Sequence, residues 1–198
     1  MILPNQLTIL RIILTPIFYF LFISDDQSLK FISVVVFLIA AITDWYDGWL
    51  ARKFNYITNW GKFLDPLADK ILTSAAFIAL VKINVLELWM VLIIIVRDFL
   101  ITGLRAYADY KGELFNTSFL AKWKTLLQMI FLYYLLFIEV LLSSDLMQEN
   151  YKWLNSYFHN KEVIYFVMLA ITLLTFFTGY QYFIQNKKLI RKLFLIEN

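Results

Sequence analysis

Residues 44–69 of this chain decide both its fold and its chemistry, and they read DWYDGWLARKFNYITNWGKFLDPLAD. The stretch holds two pairs of aspartates, Asp44 with Asp47 and Asp65 with Asp69, inside a chain that is otherwise strongly apolar. A carboxylate at bilayer depth costs roughly 2.5–3.5 kcal/mol on insertion scales. Four such groups without partners would cost on the order of 10 kcal/mol, comparable with the net stability of a whole domain. The stretch therefore predicts strong partners for these carboxylates, and divalent cations are the obvious candidates.

The spacing of the aspartates predicts two helices that each carry a stripe of carboxylates and small residues. At about 100° per residue, part of the first helix falls within an arc of roughly 140°, namely Asp44, Asp47, Gly48, Ala51 and Arg52. On the second helix Asp65 and Asp69 are one turn apart, and Gly61 lies one turn before Asp65. Small residues in these stripes allow a ligand or a neighbouring backbone to approach closely.

The composition places the chain among integral membrane proteins. It is 61% hydrophobic, 19% aromatic and only 17% charged over 198 residues. There is no cysteine, which excludes disulfides, thiolate nucleophiles and zinc-thiolate sites. A net charge of +3 without a basic and aromatic stretch gives no reason to expect a nucleic acid partner.

Six apolar segments are long enough to cross the hydrocarbon, which takes about 20 residues. They lie at about 6–23, 30–52, 61–82, 86–108, 119–142 and 161–184. Each must be helical, because an open strand edge in lipid leaves its amides without hydrogen bonds. The sequence therefore predicts an all-α polytopic protein with six transmembrane helices, formed by a single membrane domain over residues 1–198.

The distribution of lysine and arginine predicts that both termini are cytoplasmic. In this orientation most basic residues fall in cytoplasmic segments, and residues 44–69 lie at the cytoplasmic end of the second and third spans. Residues 187–198 form a basic amphipathic tail that is expected to lie on an anionic leaflet. The expected location is the cytoplasmic (inner) membrane, with the aspartates facing the cytoplasm.

The donor set and its spacing then point to a known family. Oxygen ligands suit Mg²⁺ or Mn²⁺, whereas Zn²⁺ usually brings histidine or cysteine. The pattern Asp44-x₂-Asp47-Gly48-x₂-Ala51-Arg52-x₈-Gly61-x₃-Asp65-x₃-Asp69 resembles the signature of the CDP-alcohol phosphatidyltransferases, with no position missing. Members of that family are six-helix membrane enzymes, typically homodimers. They transfer a phosphatidyl group from a CDP-linked lipid to an alcohol and release CMP.

The resemblance implies roles for individual residues. The aspartates Asp44, Asp47, Asp65 and Asp69 would bind two divalent ions, Mg²⁺ or Mn²⁺, and Asp69 would also act as the general base. The CDP moiety of CDP-diacylglycerol would contact Asn5, Thr8, Gly48, Arg52, Thr58 and Gly61. As bare residues, Asn5 and Thr8 are equally explained as a helix start.

Three further segments resemble the bacterial branch of the family whose acceptor is glycerol 3-phosphate. They are residues 3–11, 97–105 and 122–128, and the departures from that pattern are Ala106 and Ala121. Because glycerol 3-phosphate carries a dianionic phosphate, it needs a cationic pocket. We expect that pocket to contain Arg97, Arg105, Lys122 and Lys124.

Several alternatives remain open at this level. An acceptor other than glycerol 3-phosphate, such as the phosphatidylglycerol used by cardiolipin synthases of the same family, fits the same signature. A cation transporter would also bury carboxylates, but it predicts acids spread over membrane depth. Simpler structural interpretations are also open. The aspartates form ion pairs with Arg52, Lys53, Lys62 and Lys70, Arg97 pairs with Asp98, and the lysines are only positive-inside charges.

Overall fold

The computed structural model describes residues 3–54, 59–113, 115, 118–143 and 160–194. Over these ranges the regular secondary structure is helical, and seven helices follow one another along the chain. Their bounds are α1 Leu3–Phe22, α2 Gln27–Phe54, α3 Asn59–Lys82, α4 Leu88–Tyr110, α5 Phe119–Leu142, α6 Lys161–Gln185 and α7 Lys187–Phe194. The six long helices cover the six predicted segments, so the all-α prediction is confirmed.

Two of the long helices end in the same way, with one residue in the left-handed region. Asn84 follows α3 with φ 61°, and the amide of Val85 donates back to the carbonyl of Leu80 over 2.9 Å. Gly112 follows α4 with φ 76°, and the amide of Glu113 donates to the carbonyl of Ala108, also over 2.9 Å. Asparagine and glycine are the residues that adopt this conformation most readily. These local sequences therefore set where α3 and α4 stop.

An aromatic cluster joins the first two helices to the rest of the core. The ring of Phe18 in α1 lies 5.1 Å from that of Phe37 in α2 and 5.5 Å from that of Phe22, measured between centroids. All three rings are buried, in one apolar core with residues from α3 to α6 such as Leu80 and Leu132. Such ring pairs add to the stability that burial alone provides.

The outer surface of the helix bundle is more apolar than a soluble protein allows. Large aromatic side chains stand exposed on four different helices, for example Phe20 on α1, Phe31 on α2, Phe137 on α5 and Phe176 on α6. Buried threonines lie on the inner side of α6, where each hydroxyl donates to a carbonyl one turn earlier. An apolar exterior around an interior that also holds polar groups is the arrangement of a protein surrounded by lipid.

Two of the described helices, α5 and α6, are by themselves long and apolar enough to cross a membrane. Shorter apolar helical stretches occur at Leu7–Phe22 and Gln27–Thr43. The second and third helices also carry the aspartates and their neighbouring cations, which make them less apolar than α5 and α6. Together with the exposed aromatic surface, α5 and α6 indicate a membrane protein, while the six-span topology stays a prediction.

The described part of the basic tail, Lys187–Phe194, is helical and lies at the same end of the molecule as the α4–α5 connection. Lys192 of α7 places its ammonium nitrogen 2.5 Å from a carboxylate oxygen of Glu113, which follows α4. The predicted topology places the basic tail and the α4–α5 connection on the cytoplasmic side of the membrane. The contact between Lys192 and Glu113 is consistent with their lying on the same side.

We expect the start of α6 to depend on Asn160. Its side-chain oxygen accepts from the amides of Glu162 and Val163, over 3.0 and 3.4 Å. The change Asn160→Ala removes both bonds and should destabilise the helix by about 1 kcal/mol. In detergent this should lower the Tm by about 2–4 °C, measured by a thermal unfolding assay. Asn160→Asp keeps the acceptor and is the control; equal Tm values for the alanine and aspartate variants would contradict this role.

Candidate functional site

The aspartate pair of α3 lies on one face of that helix, and α1 packs against it. The buried hydroxyl of Thr8 donates to a carboxylate oxygen of Asp65 over 2.5 Å. Asp65 is half-buried, and 38% of the Asp69 side chain is exposed. Both carboxylates are therefore partly accessible, and a contact across 57 residues of sequence fixes one oxygen of Asp65.

Part of the predicted site lies outside the described residues. Helix α2 includes Asp44, Asp47, Gly48 and Arg52, helix α3 includes Gly61 and helix α1 includes Asn5, but these side chains are not described. Thr58 lies between the described ranges. Among the side chains that are described, no three acids, histidines or cysteines group closely enough to hold a metal. The four-aspartate centre therefore stays a prediction, and the structure describes the side chains of two of its members, Asp65 and Asp69.

Lys70 connects the aspartate pair of α3 to helix α4. Its ammonium nitrogen lies 3.5 Å from an oxygen of Asp69 and 3.8 Å from an oxygen of Asp98. Both distances exceed a normal hydrogen bond, so the contact is electrostatic. The lysine thus lies between two carboxylates of different helices.

Asp98 is the centre of a buried polar cluster. One of its oxygens lies 2.6 Å from the ammonium of Lys124 and 3.1 Å from the guanidinium of Arg97. The other oxygen accepts from the side-chain amide of Gln128 over 3.4 Å. Buried charges are stable only when they are paired in this way, so the cluster joins α4 to α5.

Helix α6 completes the surroundings of Arg97. A second guanidinium nitrogen donates to the hydroxyl of Thr178 over 3.3 Å. Gly179 lies directly beside the same side chain, since a Cβ atom added there would meet the Arg97 Cγ at 3.1 Å. The absence of a side chain at Gly179 gives Arg97 the space to cross the face of α6.

Three of the four predicted acceptor-phosphate residues line one cavity between α4, α5 and α6. The cavity has a volume of about 600 Å³, and its cationic wall consists of Arg97, Arg105 and Lys122. Tyr182 of α6 closes one side, with the Arg105 guanidinium carbon 5.9 Å from its ring centroid. This distance is within the range of a cation–π contact. The remaining wall is largely apolar, and the cations give the cavity a positive charge that attracts an anion.

Lys124 is placed differently from the other three. Its side chain is 0% exposed, it does not belong to the wall of the cavity, and its ammonium is paired with Asp98. The contact between Arg97 and Asp98, which was one of the open alternatives, is present. Arg97 nevertheless lines the cavity as well, so the ion pair does not withdraw it from a ligand.

Sequence reasoning missed several residues of this region. The sequence indicates Asp98 only as an alternative partner of Arg97. It indicates Lys70, which lies 3.5 Å from Asp69, only as one of the cations that pair with the aspartates, and it assigns no role to Thr178, Gly179 and Tyr182. A signal for the last three exists in α6, where polar or small residues recur every three or four positions through an apolar helix, at Thr172, Thr175, Thr178, Gly179 and Tyr182. Such a stripe indicates a face turned toward polar groups.

The arrangement has a clear chemical character. Accessible carboxylates on α3 are able to bind a hard cation or accept a proton, and the nearby cavity is able to bind an anion. Lys70 and Asp98 connect the two regions through contacts of less than 4 Å. A reaction between a metal-bound group and an anionic second substrate fits this geometry.

Comparison with known proteins gives a consistent result. The family model described as CDP-alcohol phosphatidyltransferase matches residues 1–177. Several similar curated proteins carry the name CDP-diacylglycerol–glycerol-3-phosphate 3-phosphatidyltransferase. The protein from Bacillus subtilis (strain 168) is 44% identical over 140 residues, which are 65% of this chain and 72% of its own length. The protein from Rickettsia bellii (strain RML369-C) is 35% identical over 189 residues, which are 94% of this chain and 96% of its own length.

Proposed function

Because the chain belongs to the CDP-alcohol phosphatidyltransferase family, we propose that it transfers the phosphatidyl group of CDP-diacylglycerol to glycerol 3-phosphate. The products are phosphatidylglycerophosphate and CMP. The observation that carries this conclusion is the likeness to the Rickettsia bellii protein of that name, which covers nearly the whole of both chains. An enzyme name on the relatives also favours a transferase over a cation transporter.

The chemical step is a substitution at phosphorus. A hydroxyl oxygen of glycerol 3-phosphate forms a bond to the phosphorus that carries diacylglycerol, and the bond from this phosphorus to the bridging oxygen breaks. CMP departs with the bridging oxygen. Asp69, whose carboxylate is partly exposed, accepts the hydroxyl proton. The barrier to this reaction is low only when the hydroxyl is held close to both the phosphorus and the Asp69 carboxylate.

The residues present fit a divalent cation. The predicted donors are carboxylates only, Asp44, Asp47, Asp65 and Asp69, and the two of them that the structure describes are accessible. Oxygen donors of this kind suit Mg²⁺ or Mn²⁺. When two such ions are bound, they neutralise the pyrophosphate and stabilise the departing phosphate oxygen. The hydroxyl of Thr8 holds the Asp65 carboxylate in a fixed orientation for this purpose.

The acceptor site is the basic cavity beside α4. Arg97, Arg105 and Lys122 provide the charge for the dianionic phosphate of glycerol 3-phosphate. Lys124 contributes from behind the wall through its ion pair with Asp98. The nucleotide of CDP-diacylglycerol lies against Asn5, Thr8, Gly48, Arg52, Thr58 and Gly61 in this proposal.

The proposal includes the membrane arrangement. All six long helices cross the cytoplasmic membrane, both termini are cytoplasmic, and the active site opens to the cytoplasm at the lipid boundary. The apolar surface of α1, α2, α5 and α6 supports contact with lipid, and the contact between Lys192 and Glu113 supports a shared side for the tail and the α4–α5 connection. The working form is a homodimer, as the family resemblance implies.

The reaction is tested by an acceptor screen. Purified protein in detergent, supplied with CDP-diacylglycerol and Mg²⁺ or Mn²⁺, should release CMP with glycerol 3-phosphate. Glycerol, serine and phosphatidylglycerol should give little CMP, because the cationic cavity selects a small phosphate. EDTA and the variant Asp47→Asn should abolish release. CMP release that is insensitive to EDTA, or is fastest with phosphatidylglycerol, would contradict the proposal.

The role of the cavity is tested by Arg97→Ala. Loss of a charged hydrogen bond of about 1.5–3 kcal/mol should raise the KM for glycerol 3-phosphate by about 10–100-fold. The KM for CDP-diacylglycerol should change little. Arg191→Ala, at an exposed position of α7, is the matched control and should alter neither value. An equal increase in both KM values for Arg97→Ala would show that this residue does not act on the acceptor.

The contact between Thr8 and Asp65 gives a separate prediction. Thr8→Val keeps the shape of the side chain but removes the hydroxyl, so the Asp65 carboxylate loses a fixed partner. The Mg²⁺ concentration for half-maximal activity should rise by about tenfold, as is usual when a partner of a metal ligand is removed. Thr8→Ser retains the donor and should resemble the unchanged protein. The same Mg²⁺ dependence in the valine and serine variants would argue against this support of Asp65.

A further inference from the structure

Asp98 lies where four helices of the described chain meet, and the proposed reaction assigns it no step. We propose that Asp98 is a positioning residue for the acceptor: its buried carboxylate holds Arg97 on the wall of the basic cavity and, through Lys70, keeps that cavity beside Asp69. This inference rests on the proposed function, because it concerns the same acceptor site.

The number of cations around Asp98 is the first argument. Only 6% of the Asp98 side chain is exposed, and Lys124, at 2.6 Å, already neutralises it. One cation is enough to balance the charge of one buried carboxylate. Arg97 and Lys70 nevertheless approach the same carboxylate to 3.1 and 3.8 Å. Three cations from α3, α4 and α5 therefore share one buried acid.

The geometry of Arg97 is the second argument. One terminal nitrogen of its guanidinium donates to Asp98 and the other donates to Thr178 of α6. A planar group held at both ends has a fixed orientation, and Gly179 leaves the space for it. The buried Nε–H of Arg97 makes no hydrogen bond to the described residues. A guanidinium that is fixed in this way loses less entropy when it binds a phosphate.

The position of Lys70 is the third argument. It is the residue after Asp69 in the chain, and its ammonium lies between the carboxylates of Asp69 and Asp98. This electrostatic bridge links the proposed base on α3 to the helix that carries two of the three cationic residues of the cavity. Asp98 thus contacts both Lys70, beside the proposed base Asp69, and Arg97, on the wall of the basic cavity. Through these contacts it holds the base and the cavity at a fixed distance from each other.

The experiment separates positioning from simple neutralisation of a buried lysine. Asp98→Asn alone would leave Lys124 buried without its counter-ion, which threatens folding. The comparison is therefore made within the Lys124→Met background, where that charge is absent. The two proteins are K124M and the double variant D98N/K124M, both assayed for KM and kcat with glycerol 3-phosphate and CDP-diacylglycerol.

We expect the double variant to have a KM for glycerol 3-phosphate about tenfold above that of K124M, the effect of misplacing one charged hydrogen bond. The KM for CDP-diacylglycerol should agree between the two proteins within about twofold, a difference of about 0.4 kcal/mol. The matched control is Glu87→Gln in the same background, an acid-to-amide change at an exposed residue before α4. Equal KM values for glycerol 3-phosphate in K124M and D98N/K124M would overturn the inference.

A second variant covers the case in which the double variant does not fold. Asp98→Glu keeps the charge and the partner of Lys124 but moves the carboxylate by one methylene, so it should also raise the KM for glycerol 3-phosphate selectively. An unchanged KM in this variant would likewise overturn the inference. Absence of CMP release by the unchanged protein with glycerol 3-phosphate would instead refute the proposed function, so the two failures are distinct.

Discussion

The ion pair between Asp98 and Lys124 is the contact on which the described interior depends. Its two atoms are 2.6 Å apart in a region that excludes water, where either charge alone would cost several kcal/mol. The pair ties α4 to α5, and through Arg97 and Lys70 it reaches α6 and α3. Helices with an apolar exterior have little reason to prefer one neighbour over another in lipid. A polar cluster of this kind selects one arrangement.

The same distribution of polar groups explains how a lipid enzyme handles a water-soluble partner. Aromatic and aliphatic side chains face outward along the long helices, while carboxylates, cations and threonines face inward. In the proposed arrangement, a lipid substrate reaches the site from the bilayer and a soluble phosphate reaches it from the water. The cavity between α4, α5 and α6 combines a cationic wall with an apolar one, which suits a site at this boundary.

The sequence predicted the helices and the reaction more completely than it predicted the contacts. Apolar length gave six segments that the six long helices cover, and turn residues such as Asn84 and Gly112 explain where two of them end. Arg97 and Arg105, which the sequence predicts in one pocket, do line the same cavity. The sequence predicts Lys124 in the same pocket as Lys122, although side chains two positions apart on a helix point about 200° away from each other. Its pairing with Asp98 spans 26 residues, and no local pattern reveals such a contact. The stripe on α6 was visible, but without the position of Arg97 it had no evident partner.

Gly179 restricts how α6 can vary over evolutionary time. Along the lipid-facing side of that helix, one bulky residue can replace another with little consequence, since only apolarity is needed. Position 179 is different, because any side chain enters the volume that the aliphatic part of Arg97 occupies. Alanine would favour the helix itself by about 1 kcal/mol, so glycine has a local cost at this position. Helix α6 has the composition of an ordinary apolar helix. Replacing its one achiral residue at position 179 would nevertheless displace a side chain of α4.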